Sequence, residues 1–230
     1  MMKILALGAH PDDIEIFMYG LVSIYKKEGN EVYTMIATDG AKGGSQAGKL
    51  LSQKREKEAI AGLKKISTPI FLNISDGELG QDHEHIKIIK KNILEIMPDL
   101  IITHAQNDYH SDHRSLSLLT VSAVSHYIPI LYCDTLMGIN FIPNYYVDIT
   151  DHYEEKKEAI LKHETQSPQR FVDLFELMNS YRAAQCNAPK GHYAEAYSYI
   201  PSFPFSDIKD VLPSSFKLRP FHIEDKNGFL

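Results

Sequence analysis

Short apolar runs and longer helix-periodic stretches alternate along the first two-thirds of this chain. Residues 3–8 form an apolar run that predicts a buried strand. Residues 14–28 repeat apolar side chains at helical spacing and stop near Gly29-Asn30, a helix-ending pair. The alternation continues with a β-rich run at 31–38, a helix at 51–65 with a Lys/Arg/Glu face, and a strand at 69–74. A helix at 85–97 is stopped by Pro98; then come a strand at 100–104, a helix at 115–126 and a strand at 128–134. Beyond Ile142 the rhythm changes. Residues 145–149 predict one more strand and 151–166 and 170–185 predict helices, while Pro201, Pro204, Pro213 and Pro220 predict an irregular tail.

Strands separated by helices of this length make βαβ units with right-handed crossovers. The fold class expected is α/β: a Rossmann-like, mostly parallel sheet flanked by helices, with a C-terminal elaboration. The chain reads as one domain over residues 1–230, with the βα core at 1–135 and the elaboration at 136–230. In the common strand order 3-2-1-4-5, the first and fourth strands flank the point where the order reverses. Ligands bind outside the carboxyl ends of the strands at that point.

Two polar clusters sit where those two strands end: His10-Pro11-Asp12-Asp13 after the first, and His110-Ser111-Asp112-His113 after the fourth. Pro11 suits a first helical turn and the aspartates suit a helix N-terminus. A capped acidic turn explains the aspartates alone. It does not explain a histidine before them, nor two histidines beside an aspartate at the second site. The His-x-x-Asp spacing puts His10 and Asp13 within reach of one ion, and His113 completes a set of two imidazoles and a carboxylate. Three protein ligands with a fourth position for water is the catalytic type of zinc site. The same donors also accept iron(II), cobalt or manganese. Asp12 is then placed as general base toward a metal-activated water. His110, paired with Asp112, is expected as an imidazolium that stabilises an oxyanion.

Bulk properties narrow the classes. The net charge of −6 with no basic stripe argues against a nucleic-acid partner. No apolar stretch reaches the ~20 residues of a membrane span. Two cysteines, no Cys-x-x-Cys and a start directly in a strand predict reduced thiols and a cytoplasmic location, with Cys133 in the core. Neither a Gly-x-Gly-x-x-Gly after the first strand nor a Gly-x-Ser-x-Gly elbow is present, which argues against dinucleotide and serine-hydrolase chemistry.

At these residues the chain resembles the PIG-L/LmbE-like zinc deacetylases. The hallmarks are Ala9-His10-Pro11-Asp12-Asp13 and His110-Ser111-Asp112-His113. Further matches are Glu15, the Thr38-Asp39-Gly40 loop, Arg55 with Glu58, Phe71-Leu72 with Asp76-Gly77, and Lys157, His163 and Gln166. The resemblance implies removal of an N-acetyl group from an N-acetylglucosamine-type sugar, with one zinc ion per chain held by His10, Asp13 and His113. It implies Asp12 as base and as the acid for the departing amine, and His110 supported by Asp112 at the oxyanion. It implies Arg55 as a substrate contact and a homo-oligomer, a trimer or hexamer. Phe17 and Tyr19 depart from the small residues usual before Gly20 and are expected to narrow the pocket or change its acceptor side. Two rivals stay open on the residues alone: another metallohydrolase, such as a two-metal phosphoesterase, and a non-catalytic sugar- or metal-binding module.

Other signals are weaker. His104 is expected mainly as a satisfied core histidine, with a position behind the metal ligands as the alternative; His163 and His192 are candidates for the pocket wall. The glycine-rich stretch 39–48 suits either a pocket loop or a plain connection. Tyr145 and Tyr146 are expected to pack rather than to bind sugar.

Overall fold

The first strand, β1 (Lys3–Gly8), is buried on both faces, which is why it reads as a continuous apolar run. Ile4 and Ala6 face one hydrophobic layer, while Leu5 and Leu7 face another. The computed structural model describes residues 1–44, 47–124 and 126–217. Of the expected features, Ser125 in the helix expected over 115–126, Ser45 and Gln46 in the glycine-rich stretch, and Pro220 in the tail lie outside the described residues.

The elements after β1 are α1 (Asp13–Phe17), α2 (Tyr19–Lys27), β2 (Glu31–Thr38), α3 (Lys49–Gly62) and β3 (Ile70–Ile74). They continue with α4 (His83–Ile96), β4 (Leu100–Thr103), α5 (Ser111–Val124), β5 (Ile130–Cys133) and β6 (Tyr145–Asp148). The last are α6 (Tyr153–Ile160), α7 (Gln169–Gln185) and β7 (Ala194–Tyr199). The sheet order is β3-β2-β1-β4-β5-β7-β6, with β1 to β5 mutually parallel. Helices α1, α2, α3, α6 and α7 cover one face, and α4 and α5 the other. The expected α/β class and the switch between β1 and β4 are both present.

Two expectations need correction. The helix expected over 14–28 is broken at Met18, whose φ of −132° and ψ of −5° are not helical. The break frees the amides of Gly20 and Leu21, which donate to the Glu195 carboxylate at 2.8 and 2.9 Å. The expected elements also omit a strand that lies before the proline-rich tail. β7 runs antiparallel between β5 and β6. Its sequence, Ala-Glu-Ala-Tyr-Ser-Tyr, is poor in β-branched residues, so propensity hides it. Glu195 is buried there because Lys156 Nζ (2.8 Å) and Tyr197 Oη (2.6 Å) also donate to it. The buried lysine of α6 is therefore Lys156, whereas Lys157, the position matched by resemblance, pairs with Glu154 at the surface.

Candidate active site

Parallel strands send all their exit loops to one rim. β1 and β4 are direct neighbours, with Ile4 opposite Leu100 and Ala6 opposite Ile102. The two polar clusters meet there. The chain turns sharply after β1: Asp12 has φ 150° and ψ −22°, a strained conformation for a residue with a side chain. Pro11 precedes the helix rather than opening it, and Asp13 is the first residue of α1.

Arg55, on α3, holds the strained turn in place. Its Nη2 donates to Pro11 O at 3.1 Å and to Asp12 Oδ1 at 3.0 Å, and its Nη1 donates to Gly40 O at 3.0 Å. A Cβ on Gly43 would lie 2.2 Å from Arg55 Nη1, so the loop after β2 rests directly on the guanidinium. Arg55 was expected to contact substrate. Its side chain lines the cleft at only 3% exposure, and its hydrogen bonds go to the protein, Asp12 among them. Burial pushes the Asp12 carboxyl up, with Arg55 pulling against it and Asp13 pushing with it.

Asp13 sits at the centre of the histidines. Its Oδ2 lies 3.0 Å from His104 Nε2 and 3.3 Å from His10 Nδ1, and its Oδ1 lies 3.3 Å from His113 Nε2. Burial opposes its charge, yet His113 and His104 hold the carboxyl well below the usual range. His104 is completely buried and stacks on His113 with centroids 3.7 Å apart. It is thus a contact of the site and not only a core histidine. Ring nitrogens of His10, His110 and His113 lie within 4.8 Å of one another, and so do donor atoms of Asp13, His104 and His113.

The expected pairing of Asp112 with His110 takes a different form. The Asp112 carboxylate is directed at His10 Nε2 (3.2 Å) and accepts the Gly77 amide (2.8 Å). Only the backbone N–H of Asp112 reaches His110, donating to Nδ1 at 3.2 Å. An Nδ1 that accepts cannot carry a proton. Burial, together with His10 and His113, moves the His110 pKa down. Both observations run against the imidazolium expected of His110.

Two acids escaped the sequence reading as site members. Asp108, 1% exposed, places Oδ2 3.2 Å from His113 Nδ1 and accepts the His110 amide at 2.8 Å through Oδ1. Asp76 reaches His10 Nε2 at 3.4 Å and accepts the Lys42 amide at 2.8 Å. A single aspartate in a loop has no periodicity to mark it: Asp76 is matched by resemblance with Gly77 but given no role, and Asp108 is not singled out at all. His163 forms a buried pair with Glu15 at 2.8 Å, and His192 lies 3.7 Å from Asp148, away from the cleft. The cleft itself encloses about 440 Å³, with Asp12, Asp13, His10, His110, Phe17 and Tyr109 among its walls. Phe17 does stand in that wall, whereas Tyr19 is a core residue at 1% exposure.

The donor set fits a divalent cation. Asp12 pairs with the Arg55 guanidinium, whereas Asp13, Asp76, Asp108 and Asp112 face the rings of His10, His104 and His113, so the site carries an excess of carboxylate. Burial lowers the proton affinity of His10 and His113. Facing carboxylates overcome it, raising His10 well above the ordinary value and His113 to about 9. Imidazoles so placed are where a metal competes with protons.

A sheet of this order with imidazoles and carboxylates at the β1 and β4 exits defines a metal-site α/β hydrolase. Residues 5–124 match the family described as PIG-L, the GlcNAc-PI de-N-acetylases. Diacetylchitobiose deacetylase of Thermococcus kodakarensis is 30% identical over 228 residues, covering 86% of this chain and 83% of the relative. The chain belongs to the PIG-L de-N-acetylase family and is a deacetylase. Among solved structures, N,N'-diacetylchitobiose deacetylase from Pyrococcus horikoshii superposes with a TM-score of 0.77 at 25% identity, over 92% of this chain and 89% of that one. The 4-carboxy-2-hydroxymuconate hydratase of Pseudomonas putida superposes with a TM-score of 0.79 at 17% identity, over 90% of this chain and the whole of that one. Its different reaction on the same fold makes function a matter of site residues, not of the sheet.

Proposed function

We propose that this protein hydrolyses the acetamide of an N-acetylglucosamine-type amino sugar or its conjugate, releasing acetate and the free amine. The observation that carries the reading is the placement of Asp12 at the cleft wall beside Asp13, His10 and His113, with Arg55 fixing its carboxylate. His10, Asp13 and His113 would hold the ion, which we assign as zinc, with His104 and Asp108 backing Asp13 and His113. Such an ion supplies Lewis acidity and lowers the pKa of water at neutral pH.

The protein's own groups divide the remaining work. Asp12 accepts the proton of the attacking water. Its burial-raised pKa suits it to hold that proton and deliver it to the departing amine nitrogen. His110, whose Nδ1 accepts the Asp112 amide, is placed to donate from Nε2 to the developing oxyanion. Asp112 directs its carboxylate to His10, which it orients, and anchors the loop at Gly77. Phe17 and Tyr109 narrow the entrance beside these groups.

The test compares the wild type with Asp12→Asn in acetate release from N-acetylglucosamine glycosides, with the metal content of both samples measured. A loss of roughly 10²–10⁴ in kcat with metal retained is expected for removal of a general base. Near-full activity of the metal-loaded variant overturns the assignment.

A further inference from the structure

Charged groups dominate the cleft, but one neutral wall residue has half of its hydrogen-bonding capacity unspent. Gln166 lines the cleft at 8% exposure and ends the short 3-10 turn Glu164–Gln166. That turn is pinned to two helices that carry the site. His163, just before it, pairs with Glu15 of α1 at 2.8 Å. Thr165 is held by Glu58 of α3, whose carboxylate accepts the Thr165 amide at 2.9 Å and the Thr165 hydroxyl at 2.6 Å. Arg55 lies about one turn earlier on the same helix.

These bonds decide which end of the Gln166 carboxamide meets the cleft. A hydroxyl has one hydrogen to give. Thr165 gives its hydrogen to Glu58, so toward Gln166 the same oxygen can only accept. Gln166 therefore turns its Nε2 to Thr165 Oγ1, at 3.1 Å, and its carbonyl Oε1 away. Oε1 takes no hydrogen bond among the described residues. It stands 3.5 Å from where a Cβ on Gly43 would lie, and Gly43 is the wall residue that rests on Arg55.

Stability of the turn does not account for this carbonyl. Glu58 and His163 already pin the backbone, and Oε1 gains nothing from the protein. When a ligand displaces water from the cleft, a bare carbonyl is costly unless a donor meets it. The suitable donor is a neutral O–H or N–H, since a carboxylate or phosphate would set lone pairs against lone pairs. An amino sugar supplies such donors as ring hydroxyls.

We infer, on the deacetylase reading above, that Gln166 Oε1 accepts a hydrogen bond from one ring hydroxyl of the N-acetylated sugar and so makes that hydroxyl a specificity determinant. Thr165 and Glu58 are positioning residues: they hold the carboxamide with its acceptor toward the cleft.

The experiment measures acetate release from methyl N-acetylglucosaminide and its 3-deoxy, 4-deoxy and 6-deoxy analogues. The enzymes are the metal-loaded wild type, Gln166→Ala, the nearly isosteric Gln166→Met, Thr165→Val and Thr165→Ser. In the wild type, loss of the hydroxyl read by Gln166 should cost roughly tenfold in kcat/KM, the size of a neutral hydrogen bond. In both Gln166 variants that penalty should vanish, while the penalties at the other two positions stay as in the wild type. Thr165→Val, which can neither accept from the carboxamide nor donate to Glu58, should lose most of the discrimination, and Thr165→Ser should keep it. No penalty at any position in the wild type overturns the inference, and so do penalties that are unchanged, or that shrink together, in the Gln166 variants. Full discrimination in Thr165→Val overturns the positioning role. If no compound yields acetate from any of the enzymes, the deacetylase reading fails. Calorimetric binding of the same compounds then decides separately: an affinity penalty that is absent from the wild type, or that survives in Gln166→Met, overturns the role of Gln166.

Discussion

Arg55 Nη2 stands 3.0 Å from Asp12 Oδ1, and both side chains are almost wholly withdrawn from solvent. The contact joins α3 to the strained turn after β1, so the guanidinium both sets the carboxylate's direction and lowers the cost of its charge. A buried ion pair of this kind is fragile to the loss of one partner, because the other is left uncompensated.

Replacing Arg55 by alanine should therefore act on the base without removing it. The opposing pull on Asp12 disappears, so its carboxyl pKa rises further and the acidic limb of the kcat/KM profile moves to higher pH. At pH 7 we expect kcat to fall roughly ten- to a hundredfold, less than the loss of a general base itself. Arg55→Lys should recover part of the rate. An acidic limb at the wild-type position in the alanine variant would show that Arg55 does not govern Asp12.

Metal binding should release protons. Carboxylates hold His10 and His113 above the ordinary imidazole value, His113 to about 9, so in metal-free protein both are largely protonated at neutral pH. Only the neutral ring can act as a ligand, so affinity for zinc should rise with pH through this range. Titration calorimetry at pH 6 and pH 8, in buffers of different ionisation enthalpy, should show tighter binding at pH 8 and net proton release at both. Affinity independent of pH would argue against these two rings as ligands.

Gly20 should not tolerate a side chain. A Cβ there would come within 2.4 Å of Ile149 Cγ2 and 3.0 Å of Glu195 Cδ. Gly20→Ala should cost roughly 1–3 kcal/mol by overpacking. For a chain of this size each kcal/mol corresponds to roughly 2–4 °C in Tm. A thermal melt that superposes on the wild type would mean the start of α2 shifts without penalty.

Much of the architecture was legible because β1, β4 and β5 are buried on both faces and the five parallel strands are separated by helices of ordinary length. The pairing of β1 with β4 followed from topology, and it brought His10, Asp12 and Asp13 to His110 and His113. What stayed hidden has a common physical character. Glu195 is a charged residue inside a strand, and its neutralising donors come from residues 20, 21, 156 and 197. Asp108 is an unremarked loop acid whose value lies in the one ring nitrogen it faces. Asp112 is adjacent to His110 in sequence, yet the helix start at Ser111 swings its carboxylate to His10 instead. Local spacing suggested the nearer partner, and the geometry of a helical turn chose the farther one.

The four donors on Glu195 also set an order of events during synthesis. The amides of Gly20 and Leu21 leave the ribosome early, and their acceptor follows about 175 residues later. Until then the start of α2, one residue beyond the helix that opens with Asp13, lacks this acceptor. The first segment to be made is thus among the last to be finished. A ribosome-stalled chain should protect the amide of Leu21 from hydrogen exchange only once β7 has cleared the exit tunnel.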